Sequence, residues 1–296
     1  MSEMVKRDVV ALSAIRGESP WLDFWRSLRR NRSAMVGLII LAFLVAVALF
    51  GPLIAPYDYR ESNLPESLKP PNAAHWMGTD EIGRDILSRI IYGTAVSLRV
   101  GIEAVLISLV IGIIFGSVAG YYGGKIDSCI MRFMDIMLAF PSLLLAVAFM
   151  AVLGRGIDNA IIAIGIVSIP EYARIVRGSV LTVKDNDYIQ AARAIGNRDR
   201  EVIFYHLLPN VMAPIIVRGT LGISAAILEA AALGFLGLGV QPPEAEWGAM
   251  LGSGRSAIFS APHIVTFPGI AITITVLAFN LLGDGLRDAL DPRMKQ

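Results

Sequence analysis

Residues 187–209 read DYIQAARAIGNRDREVIFYHLLP, a polar, helix-forming island between strongly apolar segments. The 3.6-residue period puts Tyr188, Ala191, Ala192 and Ile195 on one helical face, and Gln190, Arg193 and Asn197 elsewhere. Gly196 interrupts that helix where a left-handed cap is suited, and Asn197 or Asp199 is placed to cap a second short helix. The expectation is a compact helix–glycine–helix elbow on one side of a bilayer, offered to a partner. An ordinary helical hairpin is the plainer alternative.

Composition explains why the surroundings are a bilayer. The 296 residues are 55% hydrophobic and 17% charged, with a mean hydropathy of +0.61, far more apolar than a soluble domain. A net charge of +1 gives no reason to expect nucleic acid. The single Cys129 excludes an internal disulfide, and His75, His206 and His263 stand apart from one another and read as structural. A hydrocarbon core about 30 Å thick needs about 20 apolar helical residues, which predicts spans near 35–55, 97–120, 134–153, 157–175, 212–238 and 264–284. Asp135 and Pro141 interrupt the third of these and Pro170 the fourth. Most Lys and Arg residues fall on one side if both termini are cytoplasmic, which puts the elbow in the cytoplasm too.

Around this core lie an N-terminal arm over 1–33, with an apolar stripe of Trp21, Phe24, Trp25 and Leu28, a first span over 34–56 and an outer loop over 57–95. The arm reads as an interfacial helix, with a partner-binding helix as the competing reading. The loop opens with Pro56, Pro65, Pro70 and Pro71. It continues HWMGTDEIGRDILSRIIYG (75–93), where Thr79 or Asp80 is expected to cap a short surface helix. Residues 96–285 form the five-helix remainder, including the elbow loop 186–210, and 286–296 a tail.

Small residues mark two spans. Gly112, Gly116 and Gly120 form a four-residue ridge that reads as a packing seam. Ala226, Ala230 and Gly234 repeat it in the fifth span. Charges inside spans are costly and hence functional candidates: Arg99 with Glu103 one turn away, Arg218, and Glu229 without a local partner. Glu229 is a candidate for meeting the ammonium group of a passing peptide, against the alternatives of an interhelical hydrogen bond or a protonated carboxyl.

The pattern Gln190-Ala191-Ala192, three residues, Gly196, then Leu208-Pro209 resembles the EAA loop of bacterial ABC-transporter permeases. Gly78-Thr79-Asp80-Glu81 with Gly83-Arg84-Asp85, the stretch FLGLGVQPPEAEWGAML (235–251) and the ending DPRMK look like C-type subunits of dipeptide and oligopeptide permeases. The chain departs from the loop pattern at Gln190, where an acidic residue is usual, and at His206, where Ile is usual.

The resemblance implies an all-α membrane protein with six transmembrane helices, a type I ABC importer permease fold, in the bacterial inner membrane. It implies that Asp187, Tyr188, Gln190, Ala191, Ala192, Gly196, Leu208 and Pro209 couple to a cytoplasmic ATPase. Glu229, Arg218 and Gly234 would border the substrate route, since the family's fifth helix lies beside it. The implied partners are a second permease, two ATPase subunits carrying ATP and Mg, and an extracytoplasmic binding protein. The implied cargo is short peptides, dipeptides first, with nickel complexes, glutathione and longer oligopeptides as alternatives.

The chain encodes no nucleotide site of its own. The nearest match to a phosphate loop is Gly123-Gly124-Lys125, but Ile126 replaces the magnesium-binding Ser/Thr and Ala119 the first glycine. Metal-ligand spacing, HExxH and a nucleophile–base pair are also missing, so the expectation is a non-enzymatic transport subunit with no cofactor or metal. A secondary transporter would need ion-coupling groups and repeats, and a channel a filter; neither pattern stands out.

Overall fold

A computed structural model describes residues 20–290, with side chains from residue 24 onward. The remainder of the N-terminal arm, with the Trp21 side chain, and the tail beyond 290 lie outside the described residues. Helices α1 (Pro20–Arg30) and α2 (Arg32–Ile54) are followed by an outer loop and then by α3 (Ile86–Tyr122), α4 (Gly124–Leu138), α5 (Ser142–Leu153) and α6 (Ile157–Val183). The elbow helix α7 (Asp187–Ala194) leads into α8 (Asp199–Phe235), the short α9 (Trp247–Gly254) and α10 (His263–Leu290).

Five helices, α2, α3, α6, α8 and α10, are long and apolar enough to cross a membrane; α4 and α5 together make up to a sixth. The third expected span is therefore not one helix. Pro141 has no N–H for the ladder and restricts the residue before it, so the chain breaks after Leu138 and bends by 91° into α5. At 12 residues, α5 is only about 18 Å long and does not span 30 Å alone. Pro170, by contrast, is carried within an unbroken α6.

The expected short surface helix of the outer loop is also corrected. Neither Thr79 nor Asp80 caps it. Asp85 does, accepting from the Ser88 N–H at 2.7 Å, and the helix it starts continues without interruption into the second span. The expected separate surface helix is thus the first turns of a helix of 37 residues, about 55 Å long, that starts at Ile86.

The glycine ridge of α3 sets the main helix seam. A Cβ on Gly112, Gly116 or Gly120 would lie 2.5–2.7 Å from Tyr172, Ala173 and Val180 of α6, so only hydrogen allows this approach. Ser108 in the same row donates to the Gly165 carbonyl across the seam at 2.9 Å. The arm helix docks as well: Phe24 and Leu28 pack against Leu286 and Ala289 of α10, and the Asn31 amide donates to Asp288 at 2.9 Å. Its apolar stripe is thus partly spent on the protein itself, while Trp25 stays 43% exposed.

Candidate functional site

The elbow is built by a helix stop. The Gly196 N–H bonds to the Arg193 carbonyl at 3.0 Å and the Asn197 N–H to the Ala192 carbonyl at 3.3 Å, the paired bonds of a Schellman cap. That geometry needs a left-handed residue, and Gly196 supplies it with φ +90°. The next helix starts differently from expectation: neither Asn197 nor Asp199 caps it. Arg198 occupies that position, and its backbone N–H donates back to the Glu201 carboxylate at 2.9 Å. The Asn197 side chain instead meets His206 Nε2 at 3.1 Å, so His206 is not isolated.

From Asp199 the helix runs directly into the fifth span, through a wider π-turn at Val202–Leu207. The Leu208 N–H there reaches the Ile203 carbonyl, a five-residue bond. This slackened turn lets Pro209, which has no N–H to give, sit inside a continuous helix. The elbow and the span are therefore one lever.

The face of α7 needs one correction. Ile189 and Ala192 are buried against Val202, Ile203 and Leu207 of α8 and Val176 and Val180 of α6, so Ala192 turns inward. Tyr188, Ala191 and Ile195 form the outward stripe, with Ile195 79% exposed, and Asp187, Gln190 and Pro209 are exposed too. Gln190 donates to the Asp185 carbonyl at 2.9 Å, tightening the turn that begins the helix. Leu208 is half-buried beside the α6–α8 core.

A contact that sequence reasoning missed ties the elbow to α3. The Tyr121 hydroxyl donates to Asp199 at 2.8 Å, and the Arg193 guanidinium lies 4.7 Å over the Tyr121 ring with its Nε 3.3 Å from the hydroxyl. Tyr121 is 72 residues from Arg193, a separation at which local spacing carries no signal. Nearby, Gly123 and Gly124, with φ +67° and +55°, form the tight turn between α3 and α4. Their place in the chain is thereby explained without a phosphate.

Within the spans, Arg99 pairs with Glu103 at 2.9 Å as the spacing suggested, and also with Asp158 at 3.0 Å. Arg218 is ion-paired to Glu171 of α6. Its Nε and Glu229 Oε2 are buried atoms without a hydrogen-bond partner among the described residues. Each such atom costs about 1–3 kcal/mol, a cost that has to be offset by something it serves.

Gly234 stands apart from both. A Cβ there would meet Glu246 Oε2 at 2.6 Å and the Ala249 N at 2.8 Å, so Gly234 seats the start of α9. The carboxylate of Glu246 caps that helix, accepting from Gly248 at 2.7 Å and Ala249 at 2.8 Å. Burial pushes its pKa up against the pull of those two N–H groups.

On the opposite side from the elbow, the outer loop is held by a buried polar network. Asp80 binds Arg84 at 2.7 Å and accepts from two backbone N–H groups, at Ile82 and Arg84. His75 sits between two carboxylates, with Nδ1 2.9 Å from Asp85 and Nε2 3.1 Å from Glu66. Both ring nitrogens face acceptors, which requires both to carry protons, so this geometry is that of an imidazolium. Burial alone opposes that charge, but the bonds to Asp85 and Glu66 outweigh it and raise the pKa above the usual 6.5. Lys69 first, then His75, lowers that of Glu66. His263, also expected to be isolated, has its Nε2 3.3 Å from the Thr79 carbonyl.

A family model described as the binding-protein-dependent transport system inner membrane component matches residues 112–296. The chain belongs to that family. A second model, the N-terminal transmembrane domain of oligopeptide transport permease C, matches residues 19–71. Among family members of named function, the chain is 52% identical over 277 residues to the dipeptide transport system permease protein DppC of Alkalihalophilus pseudofirmus, covering 94% of this chain and 91% of that one. It is 46% identical to the glutathione transport system permease protein GsiD of Pectobacterium atrosepticum, covering 98% of each. In fold it is similar to the MetNI methionine ABC transporter solved in inward-facing conformations, with a TM-score of 0.58 at 18% identity over 70% of this chain and 98% of that one. An amino acid ABC transporter gives 0.53 at 17% identity, over 68% and 94%. The expected permease fold and the family are thus both found, and the chain is a multi-pass inner-membrane permease subunit.

Proposed function

We propose that this chain is the permease subunit of an ATP-driven importer of short peptides, dipeptides foremost, and forms half of the translocation route with a second, related permease. The observation that carries the mechanism is the elbow. Its outward stripe of Tyr188, Ala191 and Ile195 lies on α7, which packs on the start of α8, the helix that runs on through Pro209 as the fifth span; Tyr121 and the Val176–Val180 core fix the elbow to α3 and α6. A push on such an element reaches three spans at once. Two cytoplasmic ATPase subunits holding ATP and Mg supply the push, one on this elbow and one on its counterpart, and an extracytoplasmic binding protein delivers the peptide. The chain itself has no catalytic role, and both termini are cytoplasmic.

The peptide reading rests on kinship across more than nine-tenths of the chain with permeases named for dipeptides and di/tripeptides. The test is uptake of a labelled dipeptide, with labelled glutathione and nickel beside it, in cells with and without this chain. Loss of dipeptide uptake alone is the expected result. Loss of glutathione or nickel uptake alone would keep the ABC mechanism and reassign the cargo.

A further inference from the structure

The geometry points to Arg218 as the group that reads the carboxylate end of the transported peptide, with Glu171 holding its place when no peptide is present. This rests on the peptide-importer reading above. Arg218 lies ten residues past Leu208, about 15 Å along α8, where a charge needs water or a partner and cannot face lipid cheaply. Its partner Glu171, on α6, keeps a side chain 53% exposed in the single chain, so the pair is not sealed in a core. The Arg218 Nε is buried and unused, although a guanidinium is built to hold two carboxylate oxygens side by side. The pair is an incomplete carboxylate clamp.

Space for a ligand adjoins it. A cavity of about 690 Å³ opens between α6, α8 and α10, lined by Arg218 and Arg287 among apolar and small polar side chains, with no Asp or Glu in its wall. That volume is ordinary for a small-molecule site, and its charge suits an anionic group. A peptide carboxylate entering it takes the place of Glu171 on Arg218, and Glu171 turns to the open side.

Glu229 completes the path. It stands eleven residues further along α8 on the same face, about 16 Å towards the end away from the elbow, with its own unpartnered oxygen. An extended dipeptide reaches about 7 Å, too short to hold Glu229 and Arg218 at once. An incoming peptide therefore meets Glu229 with its ammonium group first and Arg218 with its carboxylate later.

The decisive experiment exchanges the charges, Glu171→Arg with Arg218→Glu, in the complete transporter with its permease and ATPase partners. A purely structural ion pair is rebuilt by the exchange; a carboxylate reader is not. The expected result is an assembled complex whose dipeptide uptake stays at least tenfold below wild type. Uptake restored to within twofold would overturn the proposal while leaving the importer reading intact, since wild-type uptake is measured beside it. If the exchanged protein does not assemble, Arg218→Lys and Arg218→Gln decide: Lys is expected to retain part of the uptake and Gln to lose it at equal ATPase co-purification. Full uptake by the Gln variant would sink the idea.

Discussion

Substituting Gly196 isolates backbone strain from every other contribution. A Cβ at this position would have nothing within 4 Å, so a new side chain collides with no neighbour and fills no hole. What remains is the left-handed φ of +90°. Alanine there costs about 1–2 kcal/mol, and a β-branched residue stands at the upper end of the 1–3 kcal/mol range for such strain. Asparagine tolerates the region and costs less. If the strained turn relaxes instead, the bonds from Gly196 to Arg193 and from Asn197 to Ala192 are lost, and the carbonyls at the end of α7 lose their partners. The population with a docked elbow then falls by about 5–30-fold for Gly196→Ala and by about 100-fold for Gly196→Val, with Gly196→Asn nearest wild type. The assay is the affinity of the ATPase subunit for the assembled permease pair, with dipeptide uptake measured in parallel and membrane insertion as control. The ranking Gly, Asn, Ala, Val is the test. A valine variant that keeps full attachment and uptake, or an asparagine variant as damaged as valine, would refute the strain argument.

Two further outcomes follow from the packing and the titrating groups. Gly116→Val should lower the Tm of the purified protein by roughly 2–10 °C through about 1–3 kcal/mol of overpacking, because its Cβ would press 2.5 Å from the Ala173 carbonyl oxygen and 2.7 Å from the Val176 Cβ. Gly269→Ala, with nothing within 4 Å, is the neutral or slightly stabilising control in a thermal-unfolding measurement. The outer loop should be pH-sensitive with a definite sign. The raised pKa of His75 gives stability complete below its ordinary 6.5 and lost as pH rises through the higher folded value, and the lowered pKa of Glu66 gives stability present above 4.5 and lost on acidification. Amide-exchange protection over residues 64–85, taken relative to the intrinsic base-catalysed rate, should accordingly be greatest between these two limits and fall above neutrality. His75→Gln should flatten that alkaline loss of protection; an unchanged slope would show that His75 does not hold the loop.

The parts of this molecule legible in sequence are those fixed by local chemistry. Hydropathy alone located the five long apolar helices, because a run of about 20 apolar residues has few other uses. The Gly112–Gly116–Gly120 ridge disclosed the α3–α6 seam since a four-residue spacing of hydrogens is a one-sided surface on any helix. Gly196 was readable as a stop for the same local reason. The errors arise where a neighbour decides. Ala191 and Ala192 are indistinguishable by period, yet the α8 core claims Ala192 and leaves Ala191 outside. Asp80 and Asp85 are equally good caps on paper; two backbone N–H groups and Arg84 occupy the first, whereas the second, with His75 on one oxygen, keeps the other for the Ser88 N–H that starts α3.

The same distinction separates the two small residues and the two charges of the fifth span. Gly234 carried the signature of a pathway wall, but that signature is identical to a packing seam, and the start of α9 fills the space. From the residues alone, Glu229 and Arg218 stand out because ionised groups are expensive in a bilayer. That argument survives folding in a sharper form: each keeps one buried polar atom with no partner in the described chain. A seam is satisfied inside the fold, whereas a site is left incomplete by it. Glu171 was invisible by this reasoning, since it lies one residue after Pro170 at a break in the hydropathy pattern and only the packing of α6 on α8 brings it to Arg218. Function in this chain is therefore read from what the fold leaves unpaired: the outward stripe of the elbow at one end of α8, and the unfilled hydrogen-bonding capacity of Arg218 and Glu229 along it.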